Sequence, residues 1–208
     1  MSEPATTARR PRIGVLGGTF DPIHVGHLVA AVNVRHALAL DRVIMMVANV
    51  PWQKEGSRVI TPAADRVAMV EAAVAGVAGL EVGRLEVERG GPSYTSDTLR
   101  ELRDLEGDAD FFTIVGEDAA LGIHSWERVD EVLKASTMVV VDRPGTRAAL
   151  PGDVDWVRVE VPHLDVSSTD LRARFTDGRP LDWLVTQPVL DEISRRGLYG
   201  VDSNAGAS

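Results

Sequence analysis

Cysteine is absent from this 208-residue chain, which excludes a disulfide framework and any thiolate chemistry. No apolar run reaches membrane-spanning length, and the opening MSEPATTARRPR has no apolar core of the kind a signal peptide needs. A soluble cytoplasmic protein with no membrane partner is expected. An excess of positive charge is also missing. The 22 Lys and Arg against 31 Asp and Glu give a net charge of −9, a sign that repels nucleic-acid backbones and anionic membranes. Nucleic acid is therefore not expected as a partner, whereas small charged ligands remain open through local positive sites. The usual phosphate-loop pattern GxxxxGK[ST] is absent, and GVLGGTF does not complete a GxGxxG fingerprint. That excludes a P-loop NTPase and an ordinary dinucleotide-binding dehydrogenase.

With 44% hydrophobic residues the chain can bury one sizeable core, and its length suits a single domain over residues 11–200, with poorly ordered ends at 1–10 and 201–208. There are no repeats and no low-complexity tract. Strands are expected at residues 12–17, 42–48, 80–88, 110–116, 137–142 and 155–161. Helices are expected at Gly26–Leu40, Pro62–Ala75, Thr95–Leu105, Trp126–Ala135, Ser168–Phe175 and Pro188–Arg196. The first, second, fourth and fifth strands are nearly continuous apolar runs, as in a parallel sheet covered on both faces; the third alternates and reads as an edge. The order implies an α/β fold, a doubly wound and mostly parallel Rossmann-like sheet with a small C-terminal helical portion. Its ligand site would lie at the carboxyl ends of the strands. Residues 143–153, RPGTRAALPGD, are the best candidate for a flexible insertion.

The densest chemistry stands at the first strand-to-helix junction, GGTFDPIHVGH. Gly17 and Gly18 allow a tight turn and close approach to something bulky, and His24 and His27 fall one helical turn apart. A helix N-terminus there is an anion site. A second anion cradle opens the helix at SSTDLR, where Ser167, Ser168 and Thr169 offer hydroxyls and amides and Arg172 rises from the first turn. Two such sites in one cleft point to a polyphosphate. The competing readings are ordinary: a zinc site or helix cap for the histidines, a cap for Asp118, a packing role for Trp126, and solvated charges for Lys54 and Arg143. His36, His124, His163, Trp52, Trp156 and Trp183 are taken as structural.

These motifs resemble the nucleotidyltransferases marked by HxGH near the N-terminus and SSTxxR near the C-terminus. In particular the chain resembles the bacterial nicotinate-nucleotide adenylyltransferases. The likeness runs from about residue 12 to 200 and includes SYTSDTL at 93–99, GED at 116–118, SWERV at 125–129 and DRPG at 142–145, in the family's order. It departs where many members carry a PPHK-like run; here VANVPWQK precedes and includes Lys54, and Trp52 could gate the cleft.

The resemblance implies adenylyl transfer from ATP to nicotinate mononucleotide, with release of pyrophosphate. It implies that His24, His27, Lys54 and Arg172 are catalytic. ATP would be bound through Gly17, Gly18, Thr19, Phe20, Gly26, Gly116, Asp118, Arg143, Ser167, Ser168 and Thr169, with Asp118 on the ribose hydroxyls. Nicotinate mononucleotide would lie against Tyr94, Thr95, Trp126 and Glu127, its ring on Trp126 and its carboxylate on the backbone amides of Thr95 and Glu127. Mg²⁺ would travel with ATP on phosphate oxygens and water, with no metal ligands from the protein. A homo-oligomer remains open. Transfer to nicotinamide mononucleotide or another phosphate, or a nucleotide sensor without turnover, are the alternatives.

Overall fold

The computed structural model describes residues 9–51, 59–142 and 148–201. Six strands, β1 (Arg12–Gly18), β2 (Arg42–Val47), β3 (Leu80–Gly83), β4 (Asp110–Gly116), β5 (Thr137–Asp142) and β6 (Trp156–Glu160), form one sheet in the order β3-β2-β1-β4-β5-β6. Every pairing is parallel, so the sheet is wholly rather than mostly parallel. The chain builds outward from β1 to β3, then returns to lay β4 on the other side of β1. The strand order reverses between β1 and β4, and a crevice opens beyond their carboxyl ends.

The apolar runs make sense residue by residue. Val43, Met45 and Val47 pack with α1 (Val25–Ala37), α2 (Ala63–Val74) and the C-terminal helices α7 (Ser168–Asp177) and α8 (Gln187–Arg196). The alternate residues Ile44 and Met46 pack on the opposite face with α4 (Thr95–Glu106) and α6 (Val129–Ala135). A strand covered on both sides needs apolar residues at consecutive positions. The C-terminal helices therefore belong to the same core.

Two expected elements differ. The third strand ends at Gly83, and residues expected to continue it form a short helix, α3 (Leu85–Arg89), closed by Gly90 at φ +73°. In this helix Glu86 is buried and accepts a hydrogen bond from Thr98 Oγ1 at 2.7 Å. The helix expected from Trp126 begins instead at Val129. The residue before it, Arg128, is left-handed at φ +53° and pairs with Asp97 at 2.7 Å, which leaves Trp126 and Glu127 on a connecting segment after a single 3-10 turn, Ile123–Ser125. A further short helix, α5 (Glu117–Leu121), follows β4 directly. The remaining boundaries agree within a few residues. Among the described residues no helix is long and apolar enough to cross a membrane.

The carboxyl-end loops are tied together from below by one side chain. Arg66 of α2 is 1% exposed, and its guanidinium donates to four main-chain carbonyls: Thr61 at 2.8 Å, Thr19 at 2.8 Å, Ala48 at 2.6 Å and Asn49 at 2.9 Å. These carbonyls belong to the loops after β1 and β2 and to the approach to α2. Replacing Arg66 by Met keeps much of the volume but strands the carbonyls, each buried acceptor costing about 1–3 kcal/mol. Urea unfolding of Arg66→Met should show a loss of at least ~3 kcal/mol; a loss below ~1 kcal/mol would contradict this role.

Candidate active site

Helix α1 begins without a Ser, Thr or Asp cap. His24 occupies the cap position in extended conformation, φ −147°, and its main-chain N–H donates to Nδ1 of His27 at 3.3 Å. A ring nitrogen that accepts carries no proton, so this bond places the ring proton of His27 on Nε2. The two imidazoles stack with centroids 3.7 Å apart, and Phe20 meets His27 edge-on at 5.0 Å. Phe20 is held at φ +50° and its ring lies where a Cβ on Gly18 would fall, 2.8 Å away. A Cβ on Gly26 would come within 3.1 Å of the His24 ring and 3.0 Å of Val166. Gly18 thus makes room for the Phe20 ring, and Gly26 lets the His24 ring and Val166 come close to the helix start.

His24 is buried, and its Nδ1 has no hydrogen-bond partner among the described residues. Burial drives its pKa down from 6.5 to about 4, so the free protein holds it neutral. An unpaired buried nitrogen at a helix start, in a neutral ring that an incoming anion would favour as a donor, suits phosphate chemistry.

The second expected cradle comes to the same place. Arg172 donates through Nη1 to the carbonyl of Asp21 at 2.6 Å and through Nη2 to Thr169 Oγ1 at 3.1 Å. Ser168 Oγ donates to the carbonyl of Pro22 at 2.8 Å, and Ser167 Oγ accepts from the N–H of Asp170 as the α7 cap. The hydroxyls of Ser167 and Ser168 therefore hold the loop and the helix end. The amides of Ser168 and Thr169, at the start of α7, have no carbonyl a turn earlier to receive them.

On the other side of Gly17–Thr19 lies a cavity of about 260 Å³ between β1, β4, α3 and the start of α4. Tyr94, Thr95, Trp126 and Glu127 all line it, as does Gly116. A Cβ on Gly17 would meet nothing within 4 Å, so the strand end offers bare backbone to an occupant. Thr95 opens α4, whose first amides have no carbonyl a turn earlier. Asp118 is exposed in the first turn of α5. Lys54, Arg143 and Trp52 lie outside the described residues.

Sequence reasoning did not single out Glu86, Ser93 or Thr98, which also border this cavity. Glu86 accepts hydrogen bonds from Thr98 and Ser93; burial raises its pKa, and those two hydrogen bonds oppose the rise. Ser93 Oγ also accepts from the N–H of Asn49 at 2.8 Å, which joins the cavity floor to the loop after β2. Among the described residues, no group of three or more His, Asp or Glu could hold a metal ion.

The model of the cytidylyltransferase-like family matches residues 15–174. A probable nicotinate-nucleotide adenylyltransferase of Saccharopolyspora erythraea is 45% identical over 204 residues, covering 96% of this chain and 95% of that protein. One from Acidothermus cellulolyticus is 46% identical over 201 residues, covering 93% and 96%. Among solved structures, a Plasmodium falciparum nicotinic acid mononucleotide adenylyltransferase complexed with NaAD superposes with a TM-score of 0.74 at 17% identity, covering 93% of this chain and 100% of that one. That likeness shows the shared fold. The chain belongs to the cytidylyltransferase-like nucleotidyltransferases and, within them, to the nicotinate-nucleotide adenylyltransferase family.

The depressed pKa of His24 has a measurable consequence. In the unfolded chain, an imidazole with pKa near 6.5 takes up a proton that the folded one refuses until about pH 4. Folding should lose stability as pH falls through that window and lose no more from this group below it. His24→Gln should remove that component, on the order of 3 kcal/mol between pH 7 and pH 3. The check is the difference in urea midpoints between the two proteins across pH, in which the carboxylates common to both cancel. A difference that stays flat would contradict a buried neutral His24.

Proposed function

We propose that the chain transfers the adenylyl group of ATP to nicotinate mononucleotide, giving nicotinate adenine dinucleotide and pyrophosphate. The observation that carries this reading is the junction of two unlike half-sites at the β1/β4 switch point. One is a cavity with an aromatic wall and main-chain donors, the other a histidine pair facing the Arg172 cradle.

A phosphate oxygen of the mononucleotide attacks the α-phosphorus of ATP. The bond from that phosphorus to the bridging oxygen breaks, and the electron pair leaves with pyrophosphate. The nucleophile is already ionised at neutral pH, so no side chain has to remove a proton. The protein's task is to align the phosphates and stabilise charge at the α-phosphate and the leaving group. His24 and His27, with Thr19 and the start of α1, serve the α-phosphate. Arg172, the first amides of α7 with Ser167, Ser168 and Thr169, and Lys54 serve the β and γ phosphates. Gly17, Gly18, Phe20 and Gly26 shape the loop, while Gly116, Asp118 and Arg143 border the adenosine. Mg²⁺ arriving with ATP would be held by phosphate oxygens and water, with no ligand from these residues, and would supply charge that offsets the phosphates.

In the cavity the pyridine ring stacks on Trp126, beside Tyr94. Its carboxylate accepts from the main-chain N–H groups of Thr95 and Glu127. Two amide donors favour a carboxylate over a carboxamide, whose NH₂ would face another donor. Residues 11–200 act as one domain, and a biosynthetic reaction that draws on ATP fits a cytoplasmic location.

One observation favours a second reading. The buried Glu86 carboxylate in the same cavity could accept from a carboxamide NH₂, which would favour nicotinamide mononucleotide. The ratio of kcat/KM for the two mononucleotides, read as pyrophosphate release with ATP and magnesium, decides between them, and the acid should win.

His24→Ala and His27→Ala should each lower kcat by about 100-fold or more, the usual loss for one transition-state donor. Near-normal turnover in both would remove the histidines from the reaction. Trp126→Ala should raise KM for nicotinate mononucleotide at least ~5-fold, since an aromatic stack contributes roughly 1–3 kcal/mol. KM for ATP should move little; equal changes in both would misplace the acceptor.

A further inference from the structure

The segment after α8 turns back onto the loop that follows β1. Tyr199 lies in a 3-10 turn, Leu198–Gly200, at φ +56°, a left-handed value seldom held by a residue with a bulky side chain. Its ring stacks on Phe175 of α7 at 5.1 Å and 23°. Its hydroxyl donates to Asp21 Oδ1 at 2.6 Å and is also hydrogen-bonded to the Thr61 side chain. Burial, then the Asp21 bond, push the phenol further up from 10, so it remains a protonated donor in the working range.

Asp21 is 1% exposed and sits where three pieces of the site meet. Its Oδ2 takes the N–H of Thr61 at 3.5 Å, and its main-chain carbonyl takes Arg172 Nη1 at 2.6 Å. The next residue, Pro22, receives Ser168 Oγ, and the N–H of Val25 donates to the carbonyl of Leu184 at 3.0 Å. The carbonyl that aims Arg172 thus belongs to a residue whose side chain is clamped from the C-terminal segment.

We propose that Tyr199 and Asp21 are positioning residues that fix the guanidinium of Arg172 for the polyphosphate, so that the C-terminal segment completes the ATP half of the site. The proposal rests on the reading of Arg172 as a polyphosphate contact. Without the Tyr199 hydroxyl, the Asp21 carboxylate loses its 2.6 Å donor, and the peptide unit carrying its carbonyl gains freedom to tilt. Arg172 then keeps its charge and loses its aim. A shift of about 1 Å in a positioning group can cost up to ~100-fold in rate.

Tyr199→Phe removes the hydroxyl and keeps the ring on Phe175. A double-mutant cycle with Arg172→Ala, measured by pyrophosphate release with ATP and nicotinate mononucleotide, tests whether one residue acts through the other. Tyr199→Phe should lower kcat/KM for ATP about 10-fold and leave KM for the mononucleotide within about twofold. The effect should vanish in the Arg172→Ala background. Wild-type kinetics in Tyr199→Phe would overturn the proposal. So would the same fold-loss with and without Arg172, or a loss spread equally over both substrates, because either is what a purely structural role produces. Those results would overturn the clasp alone, whereas Arg172→Ala with unchanged use of ATP would overturn the reading of Arg172 and the clasp with it. Thermal unfolding of all four proteins establishes that each is folded at the assay temperature.

Discussion

The guanidinium of Arg66 is the contact on which the crevice depends. Four carbonyls at the carboxyl ends of β1 and β2 and before α2 have turned away from the ladders of the sheet, and each needs a donor. A guanidinium supplies planar donors in several directions and accepts nothing, which suits carbonyls converging from different loops; a lysine ammonium reaches only as a point. With Thr19 and Ala48 held on one side chain, the loop after β1 keeps a fixed distance from the loop after β2. The glycine turn, the strained Phe20 and the histidine pair are all built above that base. Ser93, bonded to the N–H of Asn49, extends the same frame to the cavity lined by Tyr94 and Trp126.

Two half-sites with opposite demands share this frame. In the proposed reaction the histidines and Arg172 would meet negative charge, with the donors for it gathered, in an acidic protein, at helix starts and at one arginine rather than in the net potential. The cavity side needs shape and neutral donors, and it takes them from backbone: the end of β1, the start of α4 and the segment at Trp126 and Glu127. Because Trp126 lies outside the following helix, its ring is set by the connection between Ile123 and Arg128. The Arg128 link to Asp97 then couples that connection to the helix that carries Thr95.

The parts of the fold visible in the sequence are those set by local pattern. Runs such as IGVLGG and MVVV are apolar at every position because both faces are covered, and GGTFDPIHVGH and SSTDLR mark strand-to-helix and loop-to-helix junctions by their own chemistry. The parts that escaped depend on partners far along the chain. LEVGRLEVE reads as one strand, yet only Leu80–Gly83 is strand; Leu85–Arg89 forms α3, where Glu86 takes hydroxyl hydrogen bonds from Thr98 and Ser93. Asp21 and Tyr199 are 178 residues apart and neither announces the other. Arg66 did carry a signal: it shares the buried face of α2 with Met69, Val70 and Ala73, so it is a charge on an apolar stripe. Such a charge has to find acceptors inside.

In the proposed reaction one crevice at the β1/β4 switch point holds the polyphosphate at His24, His27 and Arg172 and the pyridine ring at Trp126. A crystal structure with a non-hydrolysable ATP analogue and nicotinate mononucleotide tests it most directly. The α-phosphate should lie within hydrogen-bond reach of both imidazoles, the pyridine ring against the Trp126 face, and its carboxylate on the N–H groups of Thr95 and Glu127. A pyridine ring outside that cavity, or a triphosphate held away from the histidine pair, would contradict it.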